Sequence, residues 1–319
     1  MSQILKTIVI GTSLSAVSDE VVRTGMAVAR ASGAAVWLIH VYAPTSLPAE
    51  VGQGDWNLFE QQLEILRASL DEQAQRTELD RLPGFDPGRL HMVMGSPARE
   101  ILELAREVKA DLIVTGAVEG GAVHRILLGS TADQVIRKAL CPVLLARSVA
   151  AFPPRRVEIP VDLSAISANA LRQGLALLAG LGAAPEAEVL FVLNPLEAEA
   201  SIQFTPAQIE RMAAKELDRF IAESGPSPLP LQTRITTGYP RESILSVLGE
   251  RQVDLAILGT HGHGGFERLM IGSVASGVAR RAACNLLVVP PRHVDAAEIG
   301  QSAGMRFRPE GLQPSGVSL

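Results

Sequence analysis

Short runs of β-branched residues and leucine alternate along this chain with longer stretches in which apolar positions recur every three or four residues. The first pattern predicts strands and the second amphipathic helices, and their alternation predicts βα units on a parallel sheet. Strands are expected at residues 7–10, 36–39, 90–93, 112–115 and 143–145, and again at 157–161, 189–193, 233–237, 255–258 and 286–289. Helices are expected at 18–31, 57–81, 96–108 and 131–139, and again at 167–178, 206–222, 241–251 and 274–282. Within 57–81, Phe59, Leu63, Leu66 and Leu70 are spaced by four and three and predict one buried stripe. The strands read as continuous apolar runs, which suits a sheet covered by helices on both faces.

This order of elements occurs twice. Gly95 and Gly238, Pro97 and Pro240, Ile101 and Ile244, Asp111 and Asp254, Gly116 and Gly259, Gly129 and Gly272, and Cys141 and Cys284 are all 143 positions apart. Near the start of each copy the offset is 149, pairing Ser13-Leu14-Ser15-Ala16 with Asp162-Leu163-Ser164-Ala165. The first copy therefore carries about six extra residues, expected in a loop at Val51 to Asp55. A repeat of this length is a domain, not a solenoid unit. Two domains are expected, at 1–150 and 154–292, with the boundary near Pro153-Pro154, and a poorly ordered tail at 293–319.

Composition narrows the partners. A net charge of −5 without clustered Lys or Arg gives little reason to expect nucleic acid, and Trp37 and Trp56 have no basic platform around them. Neither a signal peptide nor a membrane-spanning run is read near the start, so no membrane partner and a cytoplasmic location are expected. Two cysteines at equivalent repeat positions imply small core residues and no disulfide framework.

The candidate chemistry lies after the fourth strand of the second copy. Gly259-Thr260-His261-Gly262, nine residues, and Gly272-Ser273 lead from a strand into a helix. Glycines allow close backbone approach, and the N–H groups of a helix start attract an anion such as phosphate; Ser273 is expected to cap that helix. The same spacing also suits a plain strand-to-helix turn. Walker A, the full Gly-x-Gly-x-x-Gly fingerprint and a Gly-x-Ser-x-Gly elbow are all missing, which argues against a P-loop NTPase, a standard NAD domain and an α/β-hydrolase. His261 and His263 lack companions at metal-ligand spacing, so no metal site is expected. Asp111 and Asp254, before the fourth strands, are expected to be structural.

The glycine string, the Pro160-Val161-Asp162-Leu163-Ser164 segment and the repeated five-strand unit together resemble the universal stress protein family, over about Lys6 to Arg292. The resemblance implies two tandem open parallel five-stranded α/β sheets with helices on both faces, Rossmann-like and of the adenine-nucleotide alpha-hydrolase type. It also implies their pairing as a pseudo-dimer through the last strands, with further homodimer formation as an option. In the ATP-binding branch it implies ATP, or ADP or AMP, with Mg2+ as a companion ion. Gly259, Gly262, Gly272 and Ser273 would then meet the phosphates, Asp162 the nucleoside, and the backbone of Val192 the adenine edge. Pro160, Val161, Leu258, His261, Val274 and Ala275 would line the pocket.

The first copy departs from that pattern. Ser13 stands where the second has Asp162, and Glu119 where it has Gly262. The first change removes a charged acceptor and the second adds a like charge near phosphate, so the first site is expected to be degenerate. The function expected is a nucleotide-dependent stress-response or regulatory module. A slow ATPase or phosphotransferase, for which the loop offers Arg268, His261 and His263, and a ligand-free structural protein are the alternatives.

Overall fold

The computed structural model describes residues 5–43, 53–116, 118–120, 125–147, 152–195, 205–260 and 272–291. The first half runs β1 (Thr7–Thr12), α1 (Ala16–Ser32), β2 (Ala35–Tyr42), α2 (Gln53–Arg76), β3 (Leu90–Met94), α3 (Pro97–Glu107) and β4 (Leu112–Gly116). A small hairpin, β5 (Val118–Gly120) and β6 (Arg125–Leu127), follows, then α4 (Ser130–Lys138) and β7 (Val143–Ala146). The second half runs β8 (Arg156–Val161), α5 (Ala165–Gly180), β9 (Glu186–Leu193), α6 (Pro206–Glu223) and β10 (Leu231–Thr237). It ends with α7 (Pro240–Glu250), β11 (Leu255–Gly259), α8 (Ser273–Arg281) and β12 (Asn285–Val289).

Local chemistry explains the boundaries. Ser15 and Ser164 cap α1 and α5 by accepting from the N–H of Ser18 at 3.3 Å and of Ser167 at 3.1 Å. Gly33 ends α1 at φ 71°, a left-handed conformation that glycine adopts without strain, and its N–H reaches the Ala29 carbonyl at 2.7 Å. Thr205 and Gln208 form a reciprocal capping box on α6. Pro97, Pro206 and Pro240 open their helices where an N–H is not needed.

Two expectations about α2 need correction. The helix ends at Arg76, not Arg81, because Glu78 turns into the left-handed region at φ 62° and starts a separate 3-10 turn at Leu79–Arg81. Its stripe is buried only near the end: Leu70 is buried, Leu63 and Leu66 are half-buried, and the Phe59 side chain lies outside the described residues. The extra length of the first copy also goes elsewhere than expected. Gln53 to Asp55 are helical, and α2 has 24 residues against 18 in α6. The expected tail at 293–319 lies outside the described residues.

All strands except the hairpin form one sheet in the order β10-β9-β8-β11-β12-β7-β4-β1-β2-β3. Every pairing is parallel except the central one, where β12 runs antiparallel to β7 with Leu286 opposite Leu145 and Val288 opposite Val143. Side chains alternate between the faces. Ile8, Ile10, Val157 and Ile159 pack under α1, α2, α5 and α6, while Val9, Leu145, Ala256 and Leu286 pack under α3, α4, α7 and α8. Equivalent helices share a face while the halves run antiparallel, so a pseudo-two-fold axis stands perpendicular to the sheet. The carboxyl ends of the two sets of strands therefore open at opposite rims.

The seam has polar fastenings as well. The Arg147 N–H donates to Asn285 Oδ1 at 2.7 Å, and its guanidinium donates to the Ala279 carbonyl. Burial pushes this Arg147 group down to about 10. Asp111 and Asp254 are structural, as expected. Each accepts from two backbone N–H groups at the start of the first strand of its half: Lys6 and Thr7 at 2.8 and 3.1 Å, and Arg155 and Arg156 at 2.8 and 3.0 Å.

Candidate functional site

In an open parallel sheet the ligand crevice lies where successive connections leave one strand in opposite directions. In the second half that strand is β8, flanked by β9 and β11. Pro160 has no N–H to give to a ladder. The β8–β11 pairing holds Leu255 with Val157 and Ala256 with Glu158 and goes no further, whereas β1 and β4 of the first half continue to Ile10 with Val114. Beyond Glu158 the hydrogen-bonded ladder ends, with Pro160, Val161 and Asp162 following on one strand and Leu258 and Gly259 on the other.

The turn after β8 is shaped by its side chains. Asp162 Oδ1 accepts from the N–H and the hydroxyl of Ser164, at 3.1 and 2.6 Å. Leu163 between them is left-handed at φ 60°, as its counterpart Leu14 is at 63°. An apolar residue in that region is strained. Its burial, with 8% of the surface exposed, holds it there. The turn keeps Asp162 half-buried at the mouth instead of in the core.

After Gly259, Thr260 is buried, its N–H reaches the Val289 carbonyl at 3.2 Å, and its own carbonyl accepts from the Gly272 N–H at 2.7 Å. Gly272, not Ser273, is the N-cap residue of α8, and no side chain caps the helix. Gly272 is tied to Thr260, so the helix begins one residue earlier than expected and Ser273 lies exposed in its first turn. The Gly272 carbonyl takes the N–H of Ser276 at 2.9 Å. The N–H groups of Ser273, Val274 and Ala275 are the ones a helix cannot satisfy internally. Val274 and Ala275 are half-buried against the core. His261 and Gly262, with His263 and Arg268, lie outside the described residues.

Val192 stands one residue past the last pair that β9 makes with β8, Val161 with Phe191, while β9 stays paired with β10 up to Leu193. Asp162, Val192 and Gly259 thus end three adjacent strands, the arrangement required for them to meet one ligand.

The first half fills the equivalent region differently. The Thr12 hydroxyl donates to Gln73 Oε1 at 2.7 Å, and the Gln73 amide donates to Ser18 Oγ at 3.1 Å and to Asp19 Oδ1 at 2.7 Å. Arg76 holds Asp19 with two hydrogen bonds, at 2.7 and 2.9 Å. The Arg76 hydrogen bonds, aided by Gln73, hold the Asp19 carboxyl below its ordinary range despite burial. Val161 and Ala168 replace Thr12 and Asp19 in the second half, so this network belongs to the first alone. Ser13 hydrogen-bonds to Ser15 at 2.9 Å. Glu119 lies in the hairpin, a feature unread in the sequence, and β6 of that hairpin packs against α8 of the other half.

Cys141 and Cys284 are buried, and burial pushes the Cys284 thiol up to about 11. Among the described residues no three His, Cys, Asp or Glu side chains are grouped to hold a metal ion, and no helix is long and apolar enough to cross a membrane. A surface hollow of about 510 Å³ lies at the amino ends of β8 and β9, lined by Phe152, Pro154, Gly182 and Glu186, at the opposite rim from Asp162.

The model of the universal stress protein family matches residues 5–147 and 154–290. A universal stress protein of Mycolicibacterium smegmatis is 29% identical over 304 residues, covering 89% of this chain and 97% of that protein. One from Methanocaldococcus jannaschii is 34% identical over 142 residues, 44% of this chain and 82% of that protein. Among solved structures, a universal stress protein from Archaeoglobus fulgidus superposes with a TM-score of 0.60 at 17% identity, covering 92% of this chain and all of that one. A functionally unknown protein from Pseudomonas aeruginosa gives 0.63 at 15% identity, covering 94% and 98%.

Proposed function

This chain belongs to the universal stress protein family, and on that premise we propose that its second half binds ATP or a related adenine nucleotide. One observation carries the reading. The ladder between β8 and β11 stops at Glu158, and the carboxyl ends beyond it carry Asp162 on one strand and the base of the glycine loop on the other. In this reading the free N–H groups of Ser273, Val274 and Ala275, with Gly262 and the helix dipole, meet the phosphates. Asp162 accepts from the ribose hydroxyls, and the backbone at Val192 faces the base. Pro160, Val161, Leu258, His261 and Gly259 form the walls.

The role is binding that alters association with a partner, as a stress-response module does, and no catalytic residue is assigned. A magnesium ion, where present, is brought by the phosphates of the nucleotide, which suits its preference for oxygen ligands and retained water. The first half has Ser13, Glu119 and the satisfied Thr12-Gln73-Asp19 network in place of these features and acts as a scaffold.

Mass spectrometry of the gently denatured full chain, followed by calorimetric titration with ATP, ADP and AMP, tests this. The expected result is one adenine nucleotide per chain. Two equivalent sites, or neither co-purified nucleotide nor measurable affinity, would overturn it.

A further inference from the structure

One face of the second half buries charge where the first half places apolar and aromatic groups. Glu158 on β8 has 0% of its surface exposed, and Glu188, opposite it on β9, has 4%. Arg234 on β10 donates through Nε to Glu188 Oε1 at 2.5 Å. Arg251, at the carboxyl end of α7, pairs with Glu188 Oε2 through Nη1 and leaves its Nε 3.9 Å from Glu158 Oε2. Both guanidinium groups are thus committed to Glu188. Neither carboxyl oxygen of Glu158 has a hydrogen-bond partner in the protein.

The matching positions of the first half, by register and repeat offset, are Val9, Trp37, His91 and Val108. Trp37 and His91 pack there with their rings tilted by 51° and centroids 5.0 Å apart.

We propose that the Glu158–Glu188 pair holds one proton in the folded protein near neutral pH and gives it up in mildly alkaline solution, a response for which the first half has no counterpart at the matching positions. An ionised carboxylate needs hydrogen-bond donors, and the fully buried Glu158 has none from the protein. As the neutral acid it carries no buried charge beside the ionised, Arg-held Glu188. Burial, and then the neighbouring Glu188, push Glu158 up to about 8 against the pull of Arg251 and Arg234. Burial raises Glu188 too, but the hydrogen bonds from Arg234 and Arg251 outweigh it and hold Glu188 below its ordinary range.

The remaining charges around the pair are accounted for. On its own strand Arg156 donates to the Arg251 carbonyl at 3.1 Å and lies 3.9 Å from Glu186. Glu250 acts on Arg234. Asp254 is taken by backbone N–H groups, and the β11 residue facing Glu158 is Ala256. An ionised Glu158 therefore competes with Glu188 for Arg251. That residue marks the corner where α7 passes through left-handed Gln252, at φ 49°, into β11. Loss of the proton loosens this corner, which feeds the strand ending at Gly259.

The sign follows from linkage. The folded state keeps a proton that an unfolded glutamate, with its ordinary value of 4.5, has released. Stability from this group is complete below about 4.5, falls as pH rises toward about 8, and levels off above it. Urea denaturation of the full chain at about pH 5, 6.5 and 8, for wild type and Glu158→Gln, reads this directly. The wild-type unfolding constant, relative to the variant, should grow by up to about tenfold per pH unit in this window. Parallel pH profiles for the two proteins overturn the proposal. If Glu158→Gln does not fold, infrared spectroscopy of the wild type decides. A protonated-carboxyl band at about pH 6.5 that is lost by about pH 9.5 supports the proposal, and its absence at about pH 6.5 overturns it.

Discussion

Gly272 donates its N–H to the carbonyl of Thr260 at 2.7 Å, so the chain leaves β11 and enters α8 through one closed point. Gly262→Glu, which copies Glu119 of the first half, should leave the melting temperature within a degree or so of wild type and abolish nucleotide binding. A like charge about 4 Å from phosphate costs about 4 kcal/mol at an effective dielectric of 20, roughly a thousandfold in affinity. Calorimetric titration beside a thermal melt checks both halves of the statement.

Asp162→Ser makes the reciprocal exchange just after β8. A hydrogen bond to a charged acceptor is worth about 1.5 to 3 kcal/mol, so ATP affinity should fall about ten- to hundredfold. Inorganic triphosphate, which has no ribose, should be affected much less. Equal losses for both ligands would place Asp162 at the phosphates instead.

Asp111→Ala and Asp254→Ala each remove an acceptor shared by two backbone N–H groups. Each should destabilise the chain by about 2 kcal/mol in urea denaturation. Because the two sites lie in different halves, the double variant should show additive losses.

The Arg76–Asp19 pair should give the first half an acid-sensitive contribution. Asp19 is held below its ordinary value of 3.8, so its stabilisation is present above about that pH and is lost as the pH falls through the lower folded value. Arg76→Ala should therefore be less stable than wild type at neutral pH, and the two denaturation curves should converge in strong acid.

Both thiols should be silent in the native state. With the Cys284 thiol pushed up to about 11, about one molecule in a thousand carries its thiolate at pH 8. Thiol-reactive dye should label two cysteines per chain in urea and far fewer without it.

Strands and helices were legible because periodicity records burial, and the repeat was legible because seven residue pairs share one offset. Other features depend on tertiary partners that no local pattern carries. Glu158 and Glu188 sit within or beside runs that read as plain apolar strands, and their neighbour Arg251 lies 93 positions after Glu158. Gln73 and Arg76, three apart on one helix face, were the available sign of the Asp19 network. The end of α2 departs from the sequence pattern because Glu78 takes a left-handed turn that its residue type does not favour. The hairpin after β4 falls in a glycine-rich stretch where a turn and a short ladder look alike. Pro160 was visible, but its role emerges only from where the β8–β11 pairing stops.

The antiparallel pairing of β7 with β12 also has a kinetic meaning. Two separate subunits joined by such a ladder would dissociate on dilution, with a midpoint that shifts with protein concentration. Here the residues between Ala146 and Arg156 tether the partners, so docking is a first-order event at an effective concentration set by the tether. The melting temperature of the seam should be the same at nanomolar and micromolar protein. The outer edges left to other strands are β3 and β10.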